Sequence, residues 1–234
     1  MWLVFNLLML AIYPTFIAPL FNKFVPLADE ALKARIDGLL NRCGFESSGV
    51  FVMDGSKRSS HGNAYFTGFG RNKRIVFFDT LIERLTPEEI EAVLAHELGH
   101  FKHKHIVKRM AWMFSTALVA LAVAGWAVTQ PWFYQGLGFG QPDSAIGLFL
   151  FFVVAPLVLL PLAPLSSYYS RKHEFEADAF AAAHANAQDL ISGLVKLYRD
   201  NANTLTPDPL HSAFYDSHPP AALRIAALQR AKSA

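Results

Sequence analysis

The chain has 234 residues, of which 53% are hydrophobic and only 17% charged, with a formal net charge of +2. A soluble domain usually carries about 25% charged residues, and the shortfall here is local: Met1–Asn22, Met110–Pro142 and Ser144–Ser170 contain no Asp, Glu, Lys or Arg. So apolar a chain is not disordered, it lacks the basic stripe of a nucleic-acid binder, and three long uncharged stretches point to a membrane-embedded, mainly α fold. The single cysteine, Cys43, excludes an internal disulfide framework and any CxxC metal site, and reads as a small buried hydrophobe.

In chain order, Trp2–Phe21 reads as a first membrane span, interrupted by Pro14 and Pro19, which membrane helices tolerate. It lacks the basic start and small-residue cleavage site of a signal peptide. Leu27–Arg42 has a helical period. Gly49–Met53 and Arg74–Phe78 are β-branched and aromatic runs that predict strands, and the aromatic, Gly-rich Asn63–Phe69 between them predicts a third strand or a strand-like edge. Thr86-Pro87-Glu88-Glu89 predicts a helix start, with Thr86 as N-cap, Pro87 at N1 and Glu89 closing a capping box. That helix should run from Pro87 to about Arg109 and on into a second span, Ala111–Thr129. A Gly- and Pro-rich loop, Gln130–Ala145, leads to a third span, Ile146–Leu165. A helix continues through Glu174–His184, and two more are expected near Gln188–Asp200 and Pro219–Lys232.

Each of the last two spans has about the 20 residues that cross a bilayer. Lys23, Lys102, Lys104, Lys108, Arg109, Arg171 and Lys172 flank one side of this hairpin, and the loop carries no basic residue. The positive-inside rule therefore predicts an integral, multi-pass protein with both charged blocks in the cytoplasm and Met1 outside. The expected organisation is one unit in four parts: a membrane helix at 1–22, a charged block at 23–109 with the small sheet, a membrane hairpin at 110–170, and a second charged block at 171–234.

The chemistry sits in His96-Glu97-Leu98-Gly99-His100. On a helix, positions i and i+4 share a face, so His96 and His100 can hold one metal ion, and neutral imidazoles suit Zn²⁺. Glu97, one step round, would be the general base that takes a proton from water attacking a peptide carbonyl. Gly99 is expected to leave room above the metal. A catalytic zinc needs a third protein ligand. His103 and His105 read as basic residues at the membrane interface. Glu174 and Asp178 lie i and i+4 on the helix leaving the third span, with Glu176 about 200° away. One carboxylate could bind the metal while the other holds a ligand histidine by its free ring N–H. The hairpin returns this helix to the side that carries His100, so the 73 intervening residues do not forbid contact.

These segments resemble the CAAX prenyl protease 1 family of integral-membrane zinc endopeptidases. The likeness is carried by Tyr13–Lys23, Met53–Phe66, Lys73–Leu81, Ala95–His100, Glu174–Asp178 and Ser217–Pro220, in family order. It implies a gluzincin-like zinc protease core with one Zn²⁺ per chain, held by His96, His100 and Glu174, with Glu97 as base and Asp178 behind the ligands. It further implies that Asn63 lies on the edge strand that holds substrate backbone by β-augmentation, that His218 stabilises the oxyanion, and that Arg224 supports it. From the residues alone, His218 reads as part of a helix start and Arg224 as a surface residue. The implied partners are a lipid bilayer and a peptide or protein substrate with a prenylated C-terminus. In the family the last three residues are removed after a prenylated cysteine, and some members make a second, upstream cut. The family has seven membrane helices around a chamber; this chain supplies three, so the resemblance makes the N-terminal helices a missing partner if the chain is a fragment.

Two other functions compete. One is a zinc protease of the heat-shock type that removes misfolded membrane proteins. The other is a non-enzymatic membrane scaffold, against which the intact His96, Glu97, His100 and Glu174 argue. A site-2-type intramembrane protease would carry its motif inside an apolar span, whereas here Glu88, Glu89, Glu91, Lys102 and Lys104 surround it.

Overall fold

A computed structural model describes residues 1–57, 62–67, 74–200 and 207–233. Gly68, Phe69 and Lys73, at the ends of expected segments, lie outside them, as does the 58–61 part of the Met53–Phe66 match. The N-terminal segment is helical but divided: α1 (Trp2–Ile12), a π turn at Tyr13–Ile17 that absorbs Pro14, and α2 (Ala18–Phe21). A strand the sequence did not announce, β1 (Phe24–Pro26), precedes α3 (Glu30–Cys43). α3 is capped by the Asp29 carboxylate at one end and at the other by Gly44, which adopts the left-handed conformation (φ 69°). Cys43 is buried in its last turn.

Next come β2 (Val50–Met53), β3 (Ala64–Thr67), β4 (Arg74–Phe78) and the short α4 (Asp79–Arg84). The four strands form one mixed sheet in the order β1-β2-β4-β3. β2 runs parallel to β4, with Val50 opposite Ile75, while β1 and β3 pair antiparallel on the two outer sides. β3 is thus an edge strand.

α5 (Pro87–Lys102) starts with the expected capping box. Its N3 residue does more than cap: the buried Glu89 also accepts from Ser192 Oγ and Lys196 Nζ, both at 2.7 Å. The expected continuous helix from Pro87 to Arg109 does not form. Lys104 takes the left-handed conformation (φ 56°, ψ 35°), ending α5 and starting α6 (His105–Ala127) in a new direction. It is the only non-glycine residue with positive φ among those described.

The expected loop after α6 contains a short helix, α7 (Pro131–Gly136). Tyr134, almost wholly buried, donates its hydroxyl between the carbonyls of Val128 and Asp143 and ties the hairpin tip. α8 (Ser144–Leu159) runs through a 3-10 turn at Leu160–Leu162 into α9 (Ala163–His184), one uninterrupted helical path of 41 residues. α10 (Ala187–Asp200), α11 (Pro209–Tyr215) and α12 (Ala221–Ser233) complete the chain; α11 is not among the expected helices, although Asp208 caps it and Pro209 stands at N1.

Of the three expected spans, His105–Ala127 and Ser144–His184 are long and apolar enough to cross a membrane by length and composition. Their large apolar side chains, among them Val119, Phe149 and Leu157, face outward. The segment before them packs Trp2 edge-on against Phe114 of α6. The main core lies elsewhere: Ile36 and Leu39 of α3, Ile75 and Phe77 of β4, Leu94 and Leu98 of α5, and Leu190 of α10 exclude water between the sheet and the helices. α5 runs through the middle of this core, so the histidine motif is carried on its best-supported helix.

Candidate metal centre

His96 and His100 project from α5 towards α9, which brings Glu174 to meet them. His96 Nε2 lies 3.1 Å from His100 Nε2 and 3.6 Å from Glu174 Oε2; His100 Nε2 lies 3.3 Å from Glu174 Oε1. A tetrahedral zinc ion with bonds of about 2.0–2.1 Å has ligand–ligand edges of roughly 3.3–3.4 Å. The three separations bracket that value. His96 Nδ1 lies 2.9 Å from Asp178 Oδ1 and donates to it, so Nε2 is left as a lone pair. Two imidazole nitrogens and the Glu174 oxygens therefore converge on one point, an arrangement that a cation would satisfy. Donor chemistry and spacing fit zinc. Of the two carboxylates, Glu174 faces the convergence point and Asp178 stands behind His96.

Two helices must come very close for this. A Cβ built on Gly99 would sit 2.9 Å from Ala177 Cα and 3.1 Å from its carbonyl oxygen. Gly99 therefore makes room for the α9 backbone, not for the metal as expected from sequence. The close approach sets the distance between the histidine pair and Glu174.

Arg224, read from residue type as a surface position, is 4% exposed. From α12 it grips Asp178 with two donors, Nε to Oδ2 at 2.8 Å and Nη2 to Oδ1 at 2.6 Å, and reaches Glu174 Oε2 with Nη1 at 3.2 Å. Burial works against its charge, but Asp178 and Glu174 more than offset this and raise its pKa above the ordinary value. Glu97 is half-buried beside the pair. Burial pushes its carboxyl up from the usual carboxylate range, and the His96 and His100 rings pull it back.

His218 reaches the rim of the centre. Its side chain is 63% exposed, with Nε2 3.6 Å from Glu174 Oε1 and Nδ1 3.0 Å from Ser217 Oγ. Tyr198 of α10, which the sequence did not single out, donates to the carbonyl of Pro219 at 2.9 Å and so anchors the turn that carries His218. Arg171 performs a similar task from α9, donating to the carbonyls of Ser212 and Asp216. Asn63 is exposed at the start of the edge strand β3; its side chain accepts from the Ala64 amide, and its carbonyl accepts from Phe78 N–H. Phe66 of β3 packs on Phe101, the residue after His100, so the edge strand flanks the metal helix.

The expectation for His105 is overturned, while Glu176 points away from the Glu174/Asp178 face as expected. His105 is 4% exposed, and its ring nitrogens lie 2.9 Å from His100 Nδ1 and 2.9 Å from Glu176 Oε2. The break at Lys104 produces this inward turn, and no residue type in Lys102–His105 announces such a break. His103 is exposed, as expected of it.

Comparison with known proteins agrees with this geometry. The chain is 42% identical over 232 residues to the CAAX prenyl protease 1 homolog of Arabidopsis thaliana, covering 96% of this chain and 53% of that protein. It is 39% identical over 241 residues to CAAX prenyl protease 1 of Saccharomyces cerevisiae, again covering 96% of this chain and 53% of the relative. The crystal structure of S. mikatae Ste24p superposes with a TM-score of 0.86 at 39% identity, over 97% of this chain and 56% of that one. The chain thus spans about half the length of the curated relatives it matches. The profile of peptidase family M48 matches residues 26–232, and the chain belongs to that family.

Proposed function

We propose that this chain carries the catalytic centre of a membrane zinc endopeptidase that acts on the C-termini of prenylated CAAX proteins. One observation carries the proposal: two imidazoles and a carboxylate converge at 3.1–3.6 Å, each held by further buried partners. The substrate class is supported by the names of the matched relatives.

In this reading one zinc ion is held by His96, His100 and Glu174, and it supplies Lewis acidity towards water and the scissile carbonyl. Glu97 takes the proton from the attacking water and passes it to the leaving amine; its half-buried setting keeps the carboxylate poised for that exchange. Asp178 holds the His96 ring through Nδ1, and Arg224 keeps Asp178 and Glu174 compatible with burial. With Ser217 donating to Nδ1, the His218 proton sits on Nε2, which faces the centre as a donor to the oxyanion. The open side of β3 beside Asn63 offers backbone groups to an extended peptide.

The proposed setting is a bilayer crossed by the α6 and α8–α9 paths. The latter is about 60 Å long at 1.5 Å per residue, against a hydrocarbon core of roughly 30 Å. Glu174 is 30 residues from its start, so it lies beyond the apolar layer, on the side the basic residues assign to the cytoplasm. Blocks 23–109 and 171–234 then form one peptidase unit, joined by the hairpin at 110–170.

The test is cleavage of a farnesylated CAAX peptide beside its unprenylated twin. A clear preference for the farnesylated peptide is expected; equal rates would sink the substrate assignment and favour general membrane-protein proteolysis. In parallel, Glu97→Gln should keep its zinc and lose proteolysis.

A further inference from the structure

The two histidines of the centre are backed differently. His96 has a carboxylate directly behind it, Asp178 Oδ1 at 2.9 Å from Nδ1. His100 has another imidazole, His105 Nδ1, at 2.9 Å from its own Nδ1. If His100 ligates through Nε2, its proton is on Nδ1, and His105 Nδ1 must accept it. The His105 proton is then on Nε2, which lies 2.9 Å from Glu176 Oε2, an acceptor. One proton arrangement satisfies every atom of the chain.

The surroundings hold that arrangement. The His105 ring is 4% exposed and lies parallel to His173 at 4.1 Å between centroids. Lys172 stands 3.9 Å from the other oxygen of Glu176. On a straight helix, residue 105 would lie about 140° round from residue 100 and over one turn along. The left-handed Lys104 is what folds the ring back onto the ligand.

We propose that His105 is a positioning residue for the metal centre: it accepts from His100 Nδ1–H and is itself fixed by Glu176, so that the His100 Nε2 lone pair is locked towards the ion. This rests on reading His96, His100 and Glu174 as the metal ligands. Buried partners of this kind contribute about 10–100-fold to metal affinity.

The experiment measures zinc content and the rate of zinc loss to an excess of chelator, using the chain in detergent micelles. Parent chain with one zinc supports the centre; parent chain without zinc, no different from His100→Ala, overturns the centre itself rather than the role of His105. His105→Phe preserves the stacked, buried ring but removes both nitrogens, and should release zinc about 10–100-fold faster. His105→Asn places an acceptor near the former Nδ1 and should stay within roughly threefold of the parent. The cobalt-loaded chain should show a changed visible spectrum for His105→Phe alone. Equal rates for parent and His105→Phe, or equal acceleration in both variants, overturn the proposal, because packing alone would produce either. Should His105→Phe lack a thermal transition, Glu176→Ala against Glu176→Gln decides. Faster loss only in the alanine variant, whose acceptor is gone, is expected; no difference between the two overturns the proposal.

Discussion

Gly99→Ala adds one methyl group at the closest approach of α5 and α9. The new Cβ would sit 2.9 Å from Ala177 Cα, 3.1 Å from Ala177 O and 3.1 Å from Phe180 Cβ. Comfortable carbon contacts are about 3.5–4.0 Å, and two of the three obstructing atoms are backbone, so no rotamer change relieves them. The helices must part by about 0.5–1 Å. Metal sites tolerate about ±0.2 Å in their ligand distances, so Glu174 is drawn off the histidine pair by more than the site allows. Overpacking costs about 1–3 kcal/mol, offset by about 1 kcal/mol of helix propensity gained over glycine. Overall stability should therefore fall by only about 0–2 kcal/mol. Zinc affinity should fall at least tenfold, roughly the lower figure for losing a buried ligand support. The assay is competition with a chromophoric chelator in micelles, with a thermal melt of the metal-free chain alongside. Gly193→Ala is the control, because its nearest neighbours would be at an ordinary 3.4 and 3.7 Å; it should bind zinc as the parent does. Parental zinc affinity in Gly99→Ala would refute the argument that helix spacing sets the site.

Arg224→Met leaves Asp178 and Glu174 buried without their cation, a loss of about 3–5 kcal/mol, or about 6–20 °C in the melt of a chain this size. Zinc should recover part of it by neutralising Glu174; a metal-free melt within 2 °C of the parent would contradict this. Glu89→Gln removes the charge held by Lys196 and Ser192 and should cost about 1–2 kcal/mol at neutral pH, discounted because the Lys196 side chain is 40% exposed. Burial pushes the Glu89 carboxyl up, but Lys196, Ser192 and the Thr86 amide hold it below its ordinary value. Its contribution is therefore present above about pH 4.3 and lost on acidification, so parent and variant melts should converge as pH falls below that. Lys104→Gly should stay within about 1 kcal/mol of the parent, since glycine adopts positive φ freely, whereas Lys104→Ile should be less stable by about 1–2 kcal/mol or more and lose zinc faster; equal behaviour of the two would remove the backbone break from the account.

Local pattern reveals the parts of this molecule that local chemistry decides. The capping box at Thr86 and Glu89, the bounds of β4, and the i, i+4 spacings of His96/His100 and Glu174/Asp178 all act within one helical turn or one strand, and the structure contains them as read. What escaped depends on partners far along the chain. Arg224 looks like a surface arginine until α12 packs its side chain under Glu174 and Asp178. Gly99 looks like space for a metal until Ala177 arrives against it. His105 looks interfacial because a continuous helix is the default for Lys102–Met110, and only tertiary packing selects a left-handed lysine there. Tyr198 carries no motif at all; its role exists only because Pro219 passes its hydroxyl.

The break at Lys104 makes the attachment of the centre to its two long apolar helices unequal. Glu174 and Asp178 ride on the path that α8 continues through a 3-10 turn, whereas His96 and His100 are separated from α6 by His103 and the left-handed Lys104. Any shift of α9 moves Glu174 and Glu176 together, so the carboxylate facing the histidine pair and the acceptor behind His105 are displaced as one. The centre is thus clamped at both ends by α9, and the backbone break lies on the side of the imidazoles, where His105 bridges it back to His100.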